Sequence, residues 1–465
     1  MAQRLPYGAL AVTGLGGFLV SLDVSVANSL LPTMSASFGD ASRSAVSWVV
    51  TAYAISFAAA LVPAGAVADR IGRRRTFALG LAVFAAASLW CGLAEELPAE
   101  VAARVLQGVG AAAASPAALA LLMHSGLPQQ RSDLNARWAG LAGLGITTGP
   151  LIAALCTDLA SWRWAFFINV PLSALACLGA LRFTAETDHA REAHFPDGLS
   201  ALLFAGAAAS ATYALAEIPD VGLLSLKIAM ALVASALLAL GFVRRSFRVS
   251  VPLIDLRVLA SPQTTSITLV TLLYAAGFFG LLYSTVQFLA GPWRVGLLGI
   301  GLAHLCLGFI VPTMTLRIGR LPARTGFRAP IVLGCMLMAA GLAAGIALLK
   351  GTHFEARYIP IISLIGFGVG FCYPLLGAAA VATTDPAHLG AVSALNQSAR
   401  QLGAALGIAL AVAALGAGHT PTVADAHHAW IVEALCCIAA AAAAMTLSAT
   451  AGMTADGRRM KERIG

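Results

Sequence analysis

Charge is scarce in this sequence. Asp, Glu, Lys and Arg together fill only 11% of its 465 positions, against 59% hydrophobic residues. A soluble domain needs far more polar surface, so a lipid-facing exterior is the natural reading. Metal and redox spacings are also missing. The 8 cysteines lie almost entirely in apolar stretches with no C-x-x-C pair, and are expected to be small buried residues without disulfides. No clustered His, Asp, Glu or Cys suggests catalysis at an interface, so an enzyme is not expected, and neither is a bound metal. Long polar segments are absent, which leaves a membrane sensor as the weakest alternative. The first apolar stretch has no A-x-A cleavage site and continues as a full span, so it is expected to be retained.

In place of these features stand apolar segments of membrane-crossing length. Spans are read at about 8–32, 46–68, 76–94, 98–123, 135–157, 164–182, 198–217, 222–243, 263–290, 295–316, 329–349, 357–381, 390–416 and 428–451, since a helix needs roughly 17–25 apolar residues to cross a bilayer. Backbone polar groups have no water partner in lipid, so the spans must be helices, and a β-barrel would show short alternating segments instead. The net charge of +8 sits in short clusters between spans, which sets topology and argues against a nucleic-acid partner. Arg70, Arg73, Arg74 and Arg75 share one side with Arg137, Arg182, Arg245, Arg317 and Arg328, whereas the opposite side carries single charges such as Arg43, Lys227 and Lys350. Both termini are therefore expected in the cytoplasm.

One loop recurs. Gly65, Asp69, Arg70, Gly72 and Arg74 reappear in spacing as Gly319, Ala323, Arg324, Gly326 and Arg328. Two related halves would produce this, and the pair of spans at about 198–243 then falls between two six-helix bundles as an insertion. The expected organisation is an N-terminal bundle over 1–185, an inserted pair with its loops over 186–250, and a C-terminal bundle with a tail over 251–465. The loop Gly65, Asp69, Arg70, Gly72, Arg73, Arg74 combines tight-turn glycines with an acid at a helix end, which suits a charged latch between bundles. The second copy lacks the acid.

These segments resemble the major facilitator superfamily, and within it the fourteen-span drug/proton antiporters. The loop just described is similar to the superfamily's signature loop. The stretch from Asp23 through Ser25 and Asn28 to Pro32 resembles the antiporters' first-span motif, with Ser25 where Thr is usual. Arg104, Gln107, Gly108 and Gly110 resemble the fourth-span motif, and Gly145, Gly149 and Pro150 the fifth-span antiporter motif, here followed by Ala153 and Ala154 in place of a Gly pair. Segments around Trp162–Pro171, Pro252–Arg257 and Arg400–Gly407 are similar to further family stretches. The resemblance implies an all-α membrane protein of the major facilitator fold, moving substrate by alternating access.

Two charges carry the coupling expectation. Asp23 lies roughly 22 Å along the first span at 1.5 Å per residue, and Arg104, entering from the other side, lies at a similar depth. Ionisable groups in lipid are costly unless paired or hydrated, and an acid whose proton affinity changes between states can act as a relay. Asp23 and Arg104 are expected to couple protons. Asn28, Gln107, Gln287, Asn396 and Arg400 are candidates for the substrate cavity, with interhelical glue as the alternative for the Asn396–Arg400 stripe. Tyr274 and Tyr283 suit either a substrate site or an interfacial belt. His304 is expected to be structural, and Glu217 and Glu433 are placed near the outer ends of their spans. The expected activity is proton-driven export of amphipathic drugs or toxic small molecules, with export of an endogenous metabolite as the alternative. No cofactor beyond the proton gradient is expected; the partners are substrate and lipid, the protein a monomer in a bacterial plasma membrane.

Overall fold

The computed structural model describes residues 6–127, 130–186, 197–318, 321–351, 353–382, 384, 389–416 and 420–449. Among them, 14 helices are long and apolar enough to cross a membrane, and no strand forms. They are α1 (Tyr7–Ser37), α2 (Arg43–Ile71), α3 (Arg73–Leu93), α4 (Leu97–Ser125), α5 (Arg131–Leu159), α6 (Trp164–Phe183), α7 (Gly198–Val221), α8 (Leu226–Arg248), α9 (Pro262–Ala290), α10 (Leu297–Ile318), α11 (Arg328–Leu348), α12 (Tyr358–Val381), α13 (Leu389–Leu415) and α14 (Val423–Ala444). The protein is a multi-pass membrane protein.

Helix ends follow local chemistry. The last span begins five residues before its expected start because Thr422 and Asp425 form a reciprocal capping box. It also ends earlier, at Ala444, so 445–449 lie beyond the helix. That correction moves Glu433 from a span end to the interior. The eighth span is likewise displaced from 222–243 to Leu226–Arg248: Gly222 ends α7 with φ +81°, and Ser225 then caps the next helix.

α1–α6 pack on one another, as do α9–α14, giving two six-helix bundles, with α10 the exception in packing most closely on α5 of the first. α7 and α8 pair with each other, and α7 also rests on α2 and α13. The bundles meet along two seams, α2 against α13 and α5 against α10. Both copies of the repeated loop end their helix in the same way. Gly72 and Gly326 take φ values of +96° and +73°, donating to Ala68 and Pro322 carbonyls at 3.0 and 2.9 Å. A side chain there would be strained, which explains the glycine in both copies. Gly319 of the second copy lies outside the described residues, as do Arg191, Arg458, Arg459, Lys461 and Arg463, further basic residues expected on the arginine-rich side.

The apolar core is not distributed evenly along the seams. One continuous cluster joins the end of α1 (Leu30, Met34) and the start of α2 (Val46, Val50) to Phe288 of α9, Ile300 of α10 and Leu415 of α13. At the opposite, arginine-rich end, Val12, Phe77 and Leu121 of the first bundle cluster among themselves, and a smaller cluster of Phe242, Leu253, Ile254 and Leu395 meets the first bundle there at Val62. The two bundles are thus sealed at the end where α1 finishes. Arg43 of α2 adds a hydrogen bond of 3.1 Å to the Leu415 carbonyl across that seal.

Candidate functional site

Glycines decide how α4 reaches the middle of the first bundle. A Cβ on Gly108 would stand 2.5 Å from the Tyr53 carbonyl of α2, and one on Gly110 would stand 2.6 Å from the Phe84 amide of α3. With only hydrogens there, α4 wedges between its neighbours and delivers Arg104 and Gln107 to the bundle centre.

At that centre the structure brings Asp23 and Arg104 together. Arg104 Nη1 donates to Asp23 Oδ2 at 2.5 Å, with both side chains shielded from solvent. Arg104 Nε donates to the Val49 carbonyl at 2.8 Å, and its guanidinium lies over the Tyr53 ring at 4.5 Å. The other carboxylate oxygen of Asp23 accepts from Gln107 Nε2 at 2.8 Å and from Asn169 Nδ2 at 3.0 Å. Gln107 also donates to Ser88 Oγ at 2.7 Å, while its own oxygen accepts from Arg104. Five helices therefore contribute to one dry node: α1, α2, α3, α4 and α6. A buried ion pair is tolerable only when further hydrogen bonds satisfy it, and here each Asp23 oxygen has a donor. Arg104 Nη2 has no partner.

Gln107, expected in the substrate cavity, is thus a member of the charge node. Asn169 and Ser88 were not singled out, because one amide or hydroxyl in an apolar span carries no pattern. Asn169 stood only within the quoted sixth-span segment.

The fifth-span motif has a steric and a polar role. Cβ atoms on Gly145 and Gly149 would stand 2.4 Å from the Phe18 carbonyl and 2.5 Å from Ser25 Cβ, so these glycines press α5 onto α1. Pro150 has no amide hydrogen and leaves the Ile146 carbonyl without its helical donor. Ser25 fills that place, its Oγ donating to Ile146 O at 2.5 Å. The opposite side of the bend meets α10, where a Cβ on Gly301 would stand 3.1 Å from the Pro150 carbonyl.

The gating-loop residues sit at the arginine-rich end. Asp69 and Arg70 are exposed, and Gly65 faces open space. Among the described residues, an acid that reaches this loop is Glu186, beyond α6. It accepts from the Arg74 backbone amide at 2.9 Å, and its carboxylate lies 3.8 Å from Arg74 Nε and 4.0 Å from Arg75 Nε. These contacts join the start of α3 to the segment that follows α6.

The remaining candidates are scattered. Asn28 is buried and donates to the Val24 carbonyl at 2.9 Å, with its Oδ1 unpartnered. Gln287 is buried near the far end of α9. Asn396 accepts from Thr271 Oγ1 at 2.6 Å, and Arg400 lies over the Tyr373 ring at 5.3 Å, so both link α13 to its own bundle. Tyr274 and Tyr283 are fully buried, which removes them from an interfacial belt. His304 Nδ1 bonds the Ile300 carbonyl at 2.8 Å, with Tyr358 Oη 3.4 Å from its other nitrogen. Glu433, with 2% exposure, is neither snorkelling nor at a pore mouth.

Comparison with known proteins agrees with this architecture. The Major Facilitator Superfamily model matches residues 13–408. The chain is 35% identical to the puromycin resistance protein pur8 of Streptomyces alboniger, over 84% of this chain and 78% of that one. It is 30% identical to the multidrug resistance protein Stp of Mycobacterium tuberculosis, over 89% and 76% of the two chains. Among solved structures, the human organic anion transporter TETRAN superposes with a TM-score of 0.65 at 17% identity, covering 94% of this chain and all of that one.

Proposed function

The chain belongs to the major facilitator superfamily, and on that premise we propose that it exports amphipathic drugs or toxic small molecules in exchange for protons, as a monomer with both termini in the cytoplasm. Export is supported by the resistance proteins it resembles over most of its length. Proton exchange rests on one observation: a carboxylate and an arginine buried together in a span bundle, with no solvent to stabilise either alone.

On this reading the sealed end faces outward and the arginine-rich end inward, which is the arrangement of a state that loads from the cytoplasm. Protonation of Asp23 cancels its attraction for Arg104 and loosens α1 from α4. Substrate and proton then bias one rocking equilibrium in opposite directions, which is the requirement for exchange. The binding energies act on conformation; no covalent chemistry is involved.

The test is accumulation of puromycin and of an uncharged, a cationic and an acidic dye in cells stripped of their own efflux pumps. Expression is expected to lower accumulation of at least one probe, a protonophore to abolish the difference, and Asp23→Asn to abolish it without loss of the protein from the membrane. Wild-type efflux by Asp23→Asn with unchanged dependence on the pH gradient would falsify the coupling role.

A further inference from the structure

Arg104 has a second acid beside it that the exchange reading leaves unused. Glu100 lies one helical turn before Arg104 on α4, in the first turn of the helix, and is fully buried. The Cys91 thiol is within hydrogen-bonding reach of the Glu100 carboxyl group, but neither oxygen accepts from an N–H or O–H donor, and Arg104 Nη2 has no partner. The titratable and charged groups facing Glu100 are Arg104 on its own helix, Cys91 on α3, Asp23 on α1 and Arg163 in the α5–α6 connection. Tyr53 of α2 covers the guanidinium. Arg163 is held elsewhere, donating to the Ala94 carbonyl at 2.7 Å.

The charge count of this pocket is unbalanced unless a proton is present. Two buried carboxyl groups face one buried guanidinium, and an uncompensated ion in such a place is strongly disfavoured. Asp23 has the salt bridge and two amide donors, so it holds the negative charge in this state. Glu100 has none of these and must be the neutral acid. Its ionised form is nevertheless provided for. Arginine side chains on a helix point back toward the N-terminal turn, an acid four residues earlier is the favoured partner, and the positive end of the helix dipole supports an anion there.

We propose that Glu100 is a second proton-binding site, and that Glu100 and Asp23 share one proton across Arg104. In the transfer the Glu100 O–H bond breaks and an Asp23 O–H bond forms. Glu100 gains the negative charge that Asp23 loses, and Arg104, cationic throughout, turns from Asp23 to Glu100 through Nη2. Glu100 lies nearer than Arg104 to the sealed end of the bundles, so it is the member of the pair that receives a proton from that side. This inference rests on the coupling role of the Asp23–Arg104 node.

Infrared difference spectroscopy on the full chain in lipid vesicles at neutral pH tests it without a substrate. Wild type minus Glu100→Gln is expected to contain the carbonyl stretch of a protonated, weakly bonded carboxylic acid, and Glu100→Asp to shift that band instead of removing it. In the Asp23→Asn background Arg104 lacks its partner and Glu100 must ionise. The same subtraction, Asp23→Asn minus Asp23→Asn/Glu100→Gln, is therefore expected to lose the band and show a carboxylate signal. An absent band in the wild-type subtraction overturns the proposal, as does an identical band in both backgrounds. Wild-type proton-driven efflux by Asp23→Asn defeats the coupling reading instead, and leaves these spectra as they are.

Discussion

The two bundles share a scaffold and differ in what they bury. In the first, Gly145 and Gly149 of α5 press on α1. In the second, Gly403 and Gly407 of α13 press on α9, where added Cβ atoms would stand 2.3 Å from the Leu272 carbonyl and 2.1 Å from the Ala276 carbonyl. The glycine pairs are equally spaced, and the loops that follow α2 and α10 end on equivalent left-handed glycines. Close crossing and tight loop are thus properties of both halves. The proline that follows Gly149 is not: Ile408 follows Gly407. Nor is the charge node. No ion pair joins two helices of α9–α14 among the described residues, and the acid buried there, Glu433, faces no cation and has the Ser284 hydroxyl beside it. Thiols lie near it: Cys436 and Cys437 along its own helix, the latter close to Cys335, whose sulfur stands 3.7 Å from that of Cys372. What the halves share is close helix crossing; what only the first possesses, among the described residues, is a buried ion pair, the feature on which the proposed proton coupling rests.

That contrast breaks most visibly at Arg104. Arg104→Ala removes the only cation of the node and is expected to cost about 3–5 kcal/mol, the scale of an ion pair broken in a dry interior. Unfolding in detergent can be followed with a thiol-reactive dye, because the cysteines are buried or half-buried until the bundles open. Arg400→Ala is the control from the second bundle. Its guanidinium is half-buried over one ring, with no carboxylate to strand, so its midpoint is expected to move much less. Equal losses from the two arginines would erase the distinction drawn between the bundles.

The shared scaffold predicts equality where the node predicts difference. Gly145→Ala and Gly407→Ala both drive a methyl into a backbone carbonyl of the facing helix, which cannot give way as a flexible side chain would. Each is expected to lose about 1–3 kcal/mol, the usual cost of overpacking. Thermal midpoints of the two variants, measured side by side, check this. A loss confined to Gly145→Ala would assign the glycines to the antiporter motif alone.

Much of this was open to sequence reasoning, for reasons that also explain the rest. Hydropathy marks spans because lipid imposes one rule on every residue of a helix. The depth match of Asp23 and Arg104 was readable because the rise per residue is fixed. Tertiary partners were not. Asn169 and Ser88 are single polar side chains on separate helices, and only packing shows that both face Asp23. Glu100 near a span start looks like a solvated end until the helices around it are assembled. Glu433 was misplaced because the capping box that starts α14 lies outside the hydrophobic run. Gln107 was recognisable as polar and intramembrane, but its neighbours, not its type, place it in the node.

The smallest expected effect lies in the inserted pair, where charge is paired at the membrane edge rather than within it. Asp197 caps α7 by accepting from the Ser200 amide at 3.0 Å, and it also takes both Arg245 Nε and, at 2.8 Å, Arg245 Nη2 from the end of α8. The Arg245 hydrogen bonds, followed by those from Ser200, hold its carboxyl well below the usual carboxylate range. A folded-state pKa below the unfolded one means a contribution fully present above the unfolded value, near 4, and lost as pH falls through the folded value. Stability at neutral pH therefore includes this term, and acidification below the ordinary carboxylate range removes it. Because Arg245 is half-exposed, solvent screens most of the gain. Asp197→Asn is expected to lower the midpoint slightly at neutral pH and to converge on wild type under acid. A difference that instead widened on acidification would reverse the sign of the linkage and place the pair with the buried node, where loss of one charge strands the other.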